Sequence, residues 1–289
     1  MKKAYISVIM AAVFWGTMGL FGRYMNAMGL NQIQVAMLRV FVAAVVMAFV
    51  LLIKDKKLFK VRLKDIWCFV GTGIVSLTLF NFCYFTAVNY TTLSVVTVLV
   101  YTAPAFVMLF SAVLFNEKIT ATRLGALGLM LLGCILVTGF IGSGSEGITP
   151  TGILFGLAAG VTYALYSIFC RYALNKGYHT FTISFYTFLF SSLATLPFAD
   201  VGNIVVRMTP DLGLLALGLG FVACVLPYMC YTKGLEKLKN GTASTLATLD
   251  TAVSTLVGVI AFKEPLEWYH AAGIAVLFVG IMVLSKAKD

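Results

Sequence analysis

Charge is what this chain lacks. Of 289 residues only 11% are Asp, Glu, Lys or Arg, while 61% are hydrophobic; an ordinary soluble domain carries roughly 25% charged residues. The 51 residues from Ile66 to Asn116 contain no Asp, Glu, Lys or Arg at all. That composition excludes a water-soluble globule. Histidine is also scarce: His179 and His270 are too few for a metal site. The six cysteines, at 68, 83, 134, 170, 224 and 230, form no CxxC pair and read as small apolar packing residues. Phosphate-loop, GxSxG and HExxH patterns are missing. No enzyme chemistry, cofactor or metal is expected, and the intramembrane enzyme reading lacks a nucleophile–base pair.

What is present is long apolar runs. A span needs about 20 apolar residues, and the gaps between charges place ten, at 4–22, 33–53, 66–88, 92–115, 121–141, 151–170, 180–199, 211–232, 242–262 and 267–285. The first follows Lys2-Lys3 and has no clear small-x-small cleavage site after it, so it reads as a retained anchor. The net charge of +10 does not imply nucleic acid, because its distribution is one-sided. Counted by alternate loops, 17 Lys and Arg fall on one side, with the densest group at Lys54–Lys64, and three fall on the other: Arg23, Arg207 and Lys263. This is the positive-inside bias. It predicts cytoplasmic termini and an even number of spans.

The chain is a duplication. Glu117 and Glu264 each end a hydrophobic segment, with small residues eight and nine positions on (Gly125-Ala126, Ala272-Gly273) and glycine sixteen on (Gly133, Gly280). At the same offset of 147, Cys83-Tyr84 matches Cys230-Tyr231, Asn81 matches Tyr228, and Ala103-Pro104 matches Asp250-Thr251. Near the starts of the halves the offset is 148, pairing Arg23-Tyr24 with Arg171-Tyr172 and Trp15 with Tyr163. The expected units are 1–141 and 151–289, each of five spans, with residues 142–150 as a flexible linker. Five is odd, so the second copy is inverted in the bilayer, an architecture common among carriers.

With Phe14-Trp15-Gly16, Leu38-Arg39, Tyr84-Phe85-Thr86-Ala87, Pro104 ahead of Asn116-Glu117-Lys118, Tyr163-Ala164-Leu165-Tyr166 and Lys263-Glu264-Pro265-Leu266, the chain resembles EamA-type members of the drug/metabolite transporter superfamily along essentially its whole length. The resemblance implies a multi-pass carrier of a bacterial inner membrane, often an exporter of amino acids or other small metabolites.

Candidate site residues follow from cost. A charge at the centre of a span costs at least about 2.5–3.5 kcal/mol. Arg39 is therefore either an anchor for a substrate carboxylate or a structural arginine bonded to helix ends or an acid. Asp250 is the only carboxylate well inside a span; it is a candidate for a substrate ammonium, for a proton, or for pairing with Arg39. Trp15, Asn81, Tyr84, Tyr101, Tyr163, Tyr166, Tyr228 and Tyr231 add polar-tipped rings and an amide at helical spacing, suited to an amphipathic or cationic ligand. Trp67, Trp268 and Tyr269 read as interfacial belt residues. Gly16, Gly19 and Gly22, and the Gly152/Gly156/Gly160 series, read as packing surfaces. Pro104 and Pro227 are expected kinks, and Glu264 an expected cap for the helix after it. The expected assembly is a monomer or homodimer in lipid, with a small-molecule substrate in a central cavity lined by spans 1, 2, 3, 4, 6, 8 and 9. The alternative is an accessory lipid-handling or signalling protein without solute flux.

Overall fold

The computed structural model describes residues 2–140 and 148–285. It is all-helical. Among the described residues ten long helices follow one another, with a short helix Val201–Val206 between the seventh and eighth: α1 Lys2–Ala27, α2 Gln32–Lys54, α3 Leu63–Tyr90, α4 Leu93–Phe115, α5 Ala121–Val137, α6 Pro150–Asn175, α7 Thr180–Phe198, α8 Pro210–Leu235, α9 Asn240–Phe262 and α10 Trp268–Ser285. Nine are long and apolar enough to cross a membrane; α5, at 17 residues, is a shorter apolar helix. Residue 141 of the first expected unit, residues 142–147 of the expected linker, and Lys286 and Lys288 of the charge count, lie outside the described residues.

Local sequence sets the ends. Asn31 opens α2 with a reciprocal capping box, its side chain accepting from the Gln34 amide and Gln34 accepting from the Asn31 amide. Threonines at 92, 120, 149 and 209 cap α4, α5, α6 and α8. Asn116 and Lys263 both close their helices in the left-handed region, at φ 55. They are repeat mates, so the duplication extends to the backbone of the caps.

The two halves share their irregularities. α4 breaks at Tyr101-Thr102, between Leu93–Val100 and Ala103–Phe115, and α9 breaks at Thr248-Leu249, between Asn240–Ala247 and Asp250–Phe262. These segments superpose at the offset of 147. Pro104 accounts for the first break; the second has no proline. Wide π-type turns interrupt α3 at Gly71–Thr78 and α8 at Phe221–Val225, the latter just ahead of Pro227. One irregularity is unshared: α1 breaks at Thr17, whose amide and hydroxyl both bond the Phe14 carbonyl, whereas α6 runs unbroken.

α5 and α10 pack face to face through the glycines of the repeat signature. A Cβ on Gly133 would stand 2.7 Å from Leu277 Cγ, and one on Gly273 2.6 Å from Val137 Cγ2. Small residues let these backbones approach. Gly152, Gly156 and Gly160 do the same for α6 against Thr91, Leu99 and Thr102 of the α3–α4 region.

The basic loop is docked. Lys176 reaches Asp65 at 2.7 Å, Tyr178 donates to the other Asp65 oxygen at 2.8 Å, and Thr182 and Tyr186 donate to the Leu58 and Phe59 carbonyls. The bond to Asp65 holds the Lys176 ammonium above its ordinary range. This side is called the basic end below.

Candidate functional site

A cavity of about 350 Å³ occupies the middle of the bundle. Its walls come from α1, α2, α3, α4, α6, α8 and α9. Eight of the ten candidate residues line it: Trp15, Arg39, Asn81, Tyr84, Tyr101, Tyr163, Tyr228 and Asp250. Tyr166 and Tyr231 do not. They lie behind Trp15, Tyr163 and Tyr228 around a void of about 10 Å³, and their hydroxyls are taken at the α6–α8 contact: Tyr166 with Thr232 and Tyr231 with Ser167, each at 2.8 Å. Helical spacing of three put each tyrosine pair near one face, but only Asn81 and Tyr84 both reach the cavity.

The floor is an aromatic stack. Trp15 meets Tyr228 edge-on at 5.3 Å and Tyr231 at 5.4 Å, and Tyr166 meets Tyr228 at 5.0 Å. Such edge-to-face pairs fix ring orientation.

Arg39 is 7% exposed. Its Nη1 lies 2.7 Å from Met18 Sδ and its Nε has no hydrogen-bond partner. Among the described residues no carboxylate pairs with it; in particular Arg39 and Asp250 form no ion pair. Asn81 Nδ2 of α3 and Asn26 Oδ1 of α1, which also line the cavity, are likewise buried without partners. Asp250 sits in the first turn of the second segment of α9, where the half-helix amides favour a carboxylate. Its Oδ1 accepts from Tyr101 at 3.2 Å and from Thr251 Oγ1 at 3.5 Å. The lining thus carries unpartnered donors on α2 and α3, an unpartnered acceptor on α1 and a carboxylate on α9.

The cavity reaches water at the end away from the basic loop, where its rim includes exposed Arg23 and Gln32. Gly19 and Gly22 face its open space, with nothing within 4 Å of a Cβ built on either; only Gly16 of that series packs, against Val253. The sequence had grouped all three as packing glycines.

The basic end is shut. Arg171 Nε donates to Asn240 Oδ1 at 2.9 Å and its Nη2 to the Leu238 carbonyl. Asn240 donates its amide to Glu117 at 3.2 Å and its side chain to Ser111 at 3.0 Å. Sequence reasoning passed over Asn240; the signal available was a polar residue opening a span opposite its aligned Leu93. Glu264, expected to cap α10, instead accepts from Arg23 at 2.5 Å, because the α9–α10 turn carries it over Gly258 toward α1.

Ten helices in two inverted copies around a central cavity of mostly apolar lining with a few polar groups define a membrane transport protein. The chain belongs to the EamA-like transporter family, which matches it twice, over residues 2–139 and 150–286, and this family belongs to the drug/metabolite transporter superfamily. An uncharacterized transporter of Clostridium kluyveri is 25% identical over 98% of this chain and 93% of its own. One from Archaeoglobus fulgidus is 29% identical over 46% of this chain, and the chain spans about half, 47%, of that relative's length. A Pseudomonas aeruginosa protein described as a probable 4-amino-4-deoxy-L-arabinose-phosphoundecaprenol flippase subunit is 31% identical over 27% of this chain and 62% of its own. A crystal structure shares the fold with a TM-score of 0.79 at 19% identity, covering 98% of this chain and 96% of that one.

Proposed function

We propose that this protein is a secondary carrier that exports small zwitterionic metabolites, amino acids foremost, by alternating access across a bacterial plasma membrane, with both termini in the cytoplasm. The observation that carries the reading is the division of the cavity wall. Arg39 Nε and Asn81 Nδ2 are buried donors without partners, and Asp250 lies on another wall without a cation. Buried donors left unsatisfied are costly and suit a ligand acceptor. A carboxylate against Arg39 and Asn81, an ammonium against Asp250, and an apolar side chain on the rings would use both unpartnered donors and the carboxylate. A cavity open at one end and sealed at the other supports alternating access. Asp250, holding either the ammonium or a proton, is the candidate for coupling.

Counterflow in liposomes tests this. Vesicles preloaded with amino acids should take up label from a mixed labelled amino-acid pool without any gradient, and an imposed pH gradient should change the rate. Absence of uptake for every amino acid would reject the substrate class. The short match to the flippase subunit favours a second reading, lipid handling. Scrambling of a labelled polyprenyl phosphate, with no amino-acid counterflow, would support it instead.

A further inference from the structure

A second cavity, of about 300 Å³, lies toward the end away from the basic loop and adjoins the central one, sharing Gly19 and Arg23 of α1 and Thr97 and Tyr101 of α4. Arg23 and Glu264 form one wall, and Leu93 and Ser94, at the start of α4, form another. Repeat alignment gives this gap a meaning. Arg23 is the mate of Arg171, Glu264 of Glu117, Thr91 of Leu238 and Leu93 of Asn240. At the basic end those four mates are in contact: Arg171 donates to the Leu238 carbonyl, and the Asn240 amide donates to Glu117. At this end the corresponding carbonyl of Thr91 and amide of Leu93 have no hydrogen-bond partner among the described residues.

We infer that the second cavity is the open half of a gate whose closed form is displayed at the basic end, and that it closes when Arg23 bonds the Thr91 carbonyl and Glu264 caps the Leu93 amide. The inference rests on the carrier reading, and it names the groups that do the closing. Inverted repeats exchange conformations as the carrier alternates, so each half shows the state the other adopts next. The local frames already agree. Leu93 and Asn240 both occupy the first position of their helices, and Glu117 and Glu264 both donate their own amides to repeat-mate carbonyls, Ser111 and Gly258.

The two gates are not equal. Asn240 adds side-chain bonds to Arg171 and to Ser111, whereas Leu93 and Gly258 hold those places at the other end and supply none. The basic-end gate therefore has more bonds when shut, and the resting carrier is open at the other end. Leu93→Asn should restore one missing partner, for Arg23. Leu93 is 58% exposed on the cavity wall, so the change leaves the core untouched.

Paired spin labels test this on purified protein without substrate. Cysteines replacing exposed Tyr90 and Trp268, in a background without the native cysteines, report the width of the gap. The unsubstituted gate should give mainly a long distance. Leu93→Asn should raise the short-distance fraction by about threefold, and Asn240→Ala, which weakens the opposing gate, should raise it as well. A distance distribution unchanged by both substitutions would overturn the gate. Because no flux is measured, that result stands apart from any failure to find amino-acid transport.

Discussion

Tyr101 donates its hydroxyl to Asp250 at 3.2 Å, and this bond ties the break in α4 to the break in α9. Two discontinuous helices, one from each repeat, thus meet at the only carboxylate that the described residues place on the wall of the central cavity. Asp250→Asn keeps the shape and removes the charge. We expect it to abolish gradient-driven flux while leaving a monodisperse protein of near-native melting temperature. Tyr101→Phe should leave flux measurable and shift its pH profile. Normal profiles in both variants would remove the pair from coupling.

Arg39 reaches no carboxylate among the described residues, so its removal breaks no ion pair there. Arg39→Ala should lower counterflow by about tenfold or more, in line with a lost charge-assisted bond to ligand. Arg39→Lys should recover part of it as a point charge without the guanidinium fork. Loss of folded protein in Arg39→Ala, read by size-exclusion chromatography, would instead assign the residue to structure.

Arg171 and Asn240 hold the basic end shut. Arg171→Ala should expose the cavity from that side. A cysteine at Ser244, on the cavity wall, should then react about threefold faster with an impermeant maleimide applied to the basic face. An unchanged rate would mean that the seam is held by packing alone.

Two glycines separate close packing from cavity space. Gly273→Ala places a methyl 2.8 Å from the Gly133 carbonyl oxygen and should cost about 1–3 kcal/mol through overpacking. Gly19→Ala meets nothing within 4 Å and should leave the melting temperature unchanged. Thermal unfolding in detergent measures both.

The ten helices, their inverted duplication and the family were legible in the sequence, because uninterrupted apolar runs and a fixed offset leave little choice. Part of the cavity wall was legible for a related reason: a deep Arg39, Asp250, Asn81 or Trp15 has few inexpensive places to go. The rest depends on contacts between halves. Nothing in the spacing of Tyr163 and Tyr166 says that the second hydroxyl is taken by Thr232 of α8. The break at Thr248-Leu249 carries no proline and is visible only beside its mate in α4. The glycines of α1 and of α5 look alike in a string of letters, yet some face open space and others a neighbouring backbone. Glu264 lies next to a helix start and was read as its cap; its actual partner, Arg23, is 241 residues away.

The two arginine-bearing seams differ in their access to water. The Arg23 and Glu264 side chains are 54% and 44% exposed, while Asn240, at the centre of the other seam, is fully buried. Dissolved ions screen the first and scarcely touch the second, since screening acts over about 8–10 Å of solution. Of the two seams, only the one built on Arg23 and Glu264 has its charges within reach of solvent ions, so salt added on the face away from the basic loop should weaken that pair and leave the Arg171–Asn240 contact intact.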